Sequence, residues 1–129
     1  MEPRAMIVAG LGFRESATEE ELAAALGDEA PELLATLEAR ATLPAFQALA
    51  LRLGLPVRAL PEAALAGIAT PTRSARIEER FGTGSIAEAA ALVAAGPGAT
   101  LMRTRRTAGP VTIAVACSAA DPDRKGATA

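Results

Sequence analysis

Hydrophobic positions follow two rhythms along the chain. Met6-Ile-Val-Ala-Gly-Leu-Gly12 is a continuous apolar run closed by glycines, which predicts a buried first strand. Val111-Thr-Ile-Ala-Val-Ala-Cys117 is β-branched and apolar and predicts another. Between them the period lengthens. Phe46, Leu49, Ala50 and Leu53 stand at i, i+3, i+4 and i+7, one apolar face of a helix. That helix starts near Thr42, admits Pro44 in its first turn and ends at Gly54. From Ser85 to about Ala95 the chain is almost wholly apolar, so a buried helix is expected, with Ile86, Ala89, Ala90 and Val93 as its packing stripe.

Polar residues and breakers fill in the rest. Ser16 with Glu19, or Thr18 with Glu21, caps a helix that runs to Leu26 and stops at Gly27. Residues 32–40 are helix formers by composition, with a short strand at 34–37 as the alternative. Pro56 marks Leu55–Leu60 as an edge strand or a strand start, and Pro61–Leu65 suits one or two helical turns. Thr70-Pro-Thr-Arg-Ser-Ala-Arg76 reads as a loop. Thr100–Arg103 reads as a strand, and Arg103–Gly109 as a basic turn leading into the last strand. The order of elements implies a single three-layer α/β/α domain over 1–117, followed by a flexible tail over 118–129. Its sheet is expected to be mixed and largely parallel, with an antiparallel C-terminal hairpin.

Composition narrows the chemistry. Half of the 129 residues are hydrophobic, mostly Ala and Leu, with three Phe and no Trp or Tyr. The core is therefore aliphatic, and ligands that need a Trp or Tyr platform are disfavoured. Met102 and Cys117, isolated in strands, are expected in that core. A net charge of −2 and scarce aromatics argue against nucleic-acid binding. No run approaches the roughly 20 apolar residues of a membrane span. One cysteine permits no intramolecular disulfide, and the expected location is cytoplasmic. The absence of histidine excludes Ser-His-Asp and Cys-His catalysis and His-ligated metal. No metal or cofactor is expected.

Two glycine-rich segments invite an anion. In Gly82-Thr-Gly-Ser85, Ser85 stands at an N-cap with Glu88 three residues on, the spacing of a reciprocal capping box. A helix start of this kind offers backbone N–H groups to carboxylate or phosphate. Gly10-x-Gly12 suggests a dinucleotide turn, but the third glycine of that motif falls at Glu15, whose charge is wrong for a pyrophosphate. Arg14 leaves open an anion site there. The 70–76 loop adds three hydroxyls and two guanidiniums, with Arg73 or Arg76 able to fork a carboxylate.

Five pieces in order resemble the CobE/CbiG C-terminal domain family of cobalamin biosynthesis. They are Gly10-Leu-Gly-Phe-Arg14, Ala35-Thr-Leu-Glu-Ala-Arg40, Leu53-Gly-Leu-Pro-Val57, Gly82-Thr-Gly-Ser-Ile-Ala-Glu-Ala-Ala-Ala-Leu92, and Leu101–Arg105 leading into Val111–Ala116. The resemblance implies a strand at Leu34–Thr36, against the local composition. It also implies Lys where the chain has Arg40, Glu where it has Leu43, and Lys near Arg105. The two Lys-to-Arg departures keep the charge but remove amines that could act as bases, and the loss of the Glu weakens a catalytic role at that position. Larger family members look like cobalt-precorrin-5A hydrolases, which open a ring-fused lactone and release a two-carbon fragment. Stand-alone members resemble this chain in length.

What the resemblance implies is binding of a precorrin-type tetrapyrrole as an accessory or carrier protein, with corrin-ring methyltransferases as possible partners. Lactone hydrolysis and a pure protein-interaction scaffold are the alternatives. The ligand carries many acetate and propionate groups, so its site needs several cations and N–H donors. The expected set is Gly12, Arg14, Thr36, Arg40, Thr70, Arg73, Thr83, Gly84, Ser85 and Arg105, gathered at the carboxyl ends of the strands.

Overall fold

The computed structural model describes residues 6–119. Its elements are β1 (Ile7–Phe13), α1 (Glu19–Leu26), β2 (Leu33–Leu37), α2 (Glu38–Ala41), α3 (Pro44–Leu53) and β3 (Val57–Leu60). There follow α4 (Glu62–Leu65), α5 (Ala75–Phe81), α6 (Ile86–Ala95), β4 (Thr100–Ala108) and β5 (Val111–Cys117). The five strands form one sheet in the order β3-β2-β1-β5-β4. β1, β2 and β3 pair in parallel, whereas β5 runs antiparallel to both β1 and β4.

This order explains the three layers. The chain moves outward from β1 through β2 to β3, then crosses back to the far side of β1. Right-handed crossovers that reverse direction place their helices on opposite faces. Accordingly Leu22, Leu26, Phe46 and Leu49 pack with Ala9, Leu11 and Ile113 on one face. Ile86, Ala89, Ala90 and Ala94 pack with Val8, Ala35 and Leu37 on the other. Successive residues of β1 thus alternate between two cores, which is why the strand is apolar throughout.

Gly10 and Gly12 lie within β1 and do not form a turn. Gly10 is there because α6 crosses directly over it. A Cβ at position 10 would overlap the Ala87 carbonyl oxygen and lie 2.6 Å from the Ala91 nitrogen. The alanines of α6 and the bare Cα of Gly10 together bring helix and sheet into backbone contact.

Local signals account for most element ends. Thr18, not Ser16, caps α1: its hydroxyl accepts from the Glu21 N–H, and the Glu21 carboxylate accepts from the Thr18 N–H. Thr18→Ala is expected to lower stability by about 1 kcal/mol in urea denaturation. The helix that composition suggests over residues 32–40 does not form there, and the alternative strand does. Leu33–Leu37 is a strand buried between β1 and β3, and the helix formers that follow make the single turn of α2.

Four expectations need correction. The 70–76 loop ends at Ser74, which caps α5, so Arg76 is helical. The basic stretch 103–108 continues β4, and the hairpin turns only at Gly109-Pro110. Leu53 and Met102 are exposed, and Cys117 is half-buried. Ser118, assigned to the tail, exchanges hydrogen bonds with Met6; positions 120–129 of that tail lie outside the described residues. Among the described residues no helix is long and apolar enough to cross a membrane.

Candidate functional site

β1 and β2 end at the same rim, and α6 begins there. The register Phe13↔Val111 and Gly12↔Thr112 brings the Gly109-Pro110 turn to the rim as well. A cavity of about 280 Å³ opens between these ends. Gly12, Arg14, Thr36, Arg40, Ser85 and Arg105 line it. Leu37, Ile77, Phe81, Ile86 and Pro110 supply apolar wall. Six of the ten residues expected from sequence therefore share one concavity.

Each is held by its own segment. Arg40 sits on the short helix α2, and its Nε donates to the Phe13 carbonyl at 2.7 Å, across the ends of β1 and β2. The rest of that guanidinium is loosely opposed by Glu15, 3.9 Å away at the exposed mouth. Arg14 follows β1 and is exposed; neither its side chain nor that of Arg105 is paired within the described residues. Thr36 is fully buried and donates to the Leu11 carbonyl at 2.9 Å, so its hydroxyl proton is committed. Ser85 accepts from the Glu88 N–H at 3.2 Å and closes the first turn of α6. Helix-start N–H groups have no intrahelical acceptor and carry partial positive charge.

Thr70, Arg73, Thr83 and Gly84 line a different hollow, with Gly67 and Gly82. Their polar groups serve the loop itself. Thr70 donates to the Thr72 carbonyl and Thr83 to the Ile68 carbonyl. Arg73 is mostly exposed, and Glu78 occupies its fork at 2.6 and 2.7 Å. Gly84 is needed because a Cβ there would lie 2.5 Å from the Thr72 carbonyl oxygen.

The expected capping box at α6 is only half formed. The Glu88 side chain turns away from Ser85, is fully buried, and accepts three hydrogen bonds. These come from the Thr72 N–H at 2.9 Å, the Thr72 hydroxyl at 2.9 Å and the Arg105 N–H at 2.7 Å. Its isolation in an otherwise apolar helix was the signal that it has partners beyond its own turn. Other lining residues also escaped the sequence reading. Ile77 and Phe81 stand four apart on α5, and Thr112 is the one polar residue before Cys117 in β5.

Residues 7–116 match the family described as Cobalamin synthesis G C-terminus. The chain belongs to this family. It is a cobalamin-biosynthesis protein of the CobE and CbiG C-terminal type. It is similar to the crystal structure of CobE, a protein from the cobalamin (vitamin B12) biosynthetic pathway. That match has 28% identity and a TM-score of 0.77, and covers 94% of this chain and 96% of the other. It is also similar to cobalamin biosynthesis protein chiG from Agrobacterium tumefaciens str. C58, at 29% identity and a TM-score of 0.70, over 88% of this chain and 98% of that one. No curated protein gives a significant match. The family agrees with the resemblance read from sequence, and CobE shares the mixed α/β fold.

Proposed function

We propose that the cavity at the strand ends binds a precorrin-type tetrapyrrole through its acetate and propionate arms, without turning it over. The observation that carries this reading is the convergence of Arg14, Arg40 and Arg105 with the start of α6 around an apolar wall. At about 280 Å³ the cavity lies at the small end for a ligand site. It suits one edge of a macrocycle with its carboxylate arms, leaving the remainder of the ring outside for a second protein. A carrier that hands its cargo to a corrin-ring methyltransferase needs such partial enclosure.

Binding is favoured over lactone hydrolysis by the lining. Its only ionisable side chains are arginines, and arginine keeps its proton in proteins. General-base activation of water requires a group that accepts one. Glu15 stands at the open mouth facing Arg40, outside the lining.

Titration with an octacarboxylate porphyrin such as uroporphyrin is expected to shift its absorption band, with saturation in the micromolar range. Incubation with the lactone intermediate is expected to release no two-carbon fragment. An unshifted spectrum at high micromolar ligand would leave the protein-interaction scaffold as the better reading. Release of the fragment would replace the carrier with the hydrolase.

A further inference from the structure

β4 is paired to β5 with two register shifts, one between Leu101 and Arg103 and one between Arg103 and Arg106. Arg105 lies in the second. Its N–H leaves the strand ladder and donates to Glu88 Oε2. The Thr72 N–H donates to the other oxygen, Oε1, and the Thr72 hydroxyl to Oε2. Thr72 precedes α5, whose Ile77 and Phe81 form one wall of the cavity; Arg105 belongs to another. One buried carboxylate therefore ties two separate walls to the helix between them.

We propose that Glu88 is a positioning residue, a clamp that fixes the β4 bulge and the 70–74 loop and thereby places Arg105 in the cavity. Only a carboxylate meets the demand, because both of its oxygens face backbone N–H groups that cannot rotate. A glutamine offers one oxygen and one NH₂, so in either orientation an N–H of Thr72 or Arg105 faces another donor. The bulge loses its anchor, or the loop does. The clamp stands on geometry alone; its consequence for ligand rests on the proposed function.

Hydrogen exchange reads the clamp directly. In the native chain the Arg105 amide is expected to be protected although it sits in a bulge of an edge strand; an unprotected amide overturns the clamp. Glu88→Gln is expected to speed exchange at Arg105, Thr72 or both by about tenfold or more, with α1 amides unchanged. Should that variant not fold, Glu88→Asp, which withdraws both oxygens by one methylene, is read the same way. Unchanged exchange at both amides overturns the proposal.

Uroporphyrin titration then tests positioning through a double-mutant cycle. Glu88→Gln and Arg105→Ala are each expected to weaken binding about fivefold to tenfold, and the double variant no further. Combining Glu88→Gln with Arg14→Ala is expected to multiply the losses. Multiplying losses for Glu88→Gln with Arg105→Ala would show that Glu88 does not act through Arg105. If the native chain ignores uroporphyrin, the ligand reading falls, while the exchange result still decides the clamp.

Discussion

Replacing Gly10 by alanine is expected to destabilise the domain by about 3 kcal/mol or more, among the largest effects available to one added methyl. The methyl has no direction in which to relax. It would meet the backbone of α6 at Ala87 and Ala91, not the end of a flexible side chain. The helix would have to lift from the sheet, and Val8, Ala35, Ala89 and Ala90 would lose contact together. Chemical denaturation of Gly10→Ala against the native chain measures this. Gly12→Ala is the comparison, since a Cβ there would first meet the Thr112 hydroxyl, at 2.7 Å. It should cost less than Gly10→Ala. Equal stability of Gly10→Ala and the native chain would mean that α6 is not seated as described.

The second large effect concerns ligand. Removing Arg14, Arg40 and Arg105 together is expected to weaken uroporphyrin binding by about 100-fold. Exposed arginine–carboxylate pairs contribute only about 0.2–1 kcal/mol each. A charge-assisted hydrogen bond in a half-buried setting contributes about 1.5–3 kcal/mol. Arg40 and Arg105 are the half-buried members, and Arg40 also braces the Phe13 carbonyl, so Arg40→Ala should cost some stability as well. Arg14→Ala should weaken binding alone. Arg73→Ala is the control, because Glu78 already occupies its fork and it lines the other hollow. Equal losses for the triple variant and Arg73→Ala would remove the cavity from consideration.

Much of the fold was legible because local and tertiary demands coincide. The apolar runs at 6–12 and 111–117 are strands buried on both faces, and such strands read as unbroken hydrophobic sequence. Thr18 opens α1, and Gly27 and Gly54 close α1 and α3, as short-range rules require. Residues 33–37 show where composition alone misleads. Leu33-Leu-Ala-Thr-Leu37 would serve a helix equally well, and only burial between two neighbours makes it a strand. The polar second half of β4 misleads for the opposite reason, whereas Thr100–Arg103 is a strand as expected. An edge strand with one solvated face needs few apolar residues, so Arg103–Ala108 resembled a turn.

The site was legible as a list of charges but not as a partition. Nothing in the order of residues says that Thr70, Arg73, Thr83 and Gly84 gather around a second hollow while Ser85, the next residue, lines the first. That division arises where the chain turns into α6. Glu88 illustrates the same limit. Its spacing from Ser85 suits a reciprocal cap, and the N–H half of that cap does form. Its carboxylate has better partners from segments 16 and 17 residues away, and burial gives those partners priority.

The lateral margins of the sheet have a consequence for the chain in crowded solution. One margin is the four-residue β3, bracketed by Pro56 and Pro61. The other is β4, broken twice in register and studded with Arg103 and Arg106, both paired to Glu29. A foreign strand seeking to extend the sheet finds a short template on one side, and an irregular, charged one on the other. Both margins therefore oppose the addition of a strand from another chain, although half of the residues are hydrophobic.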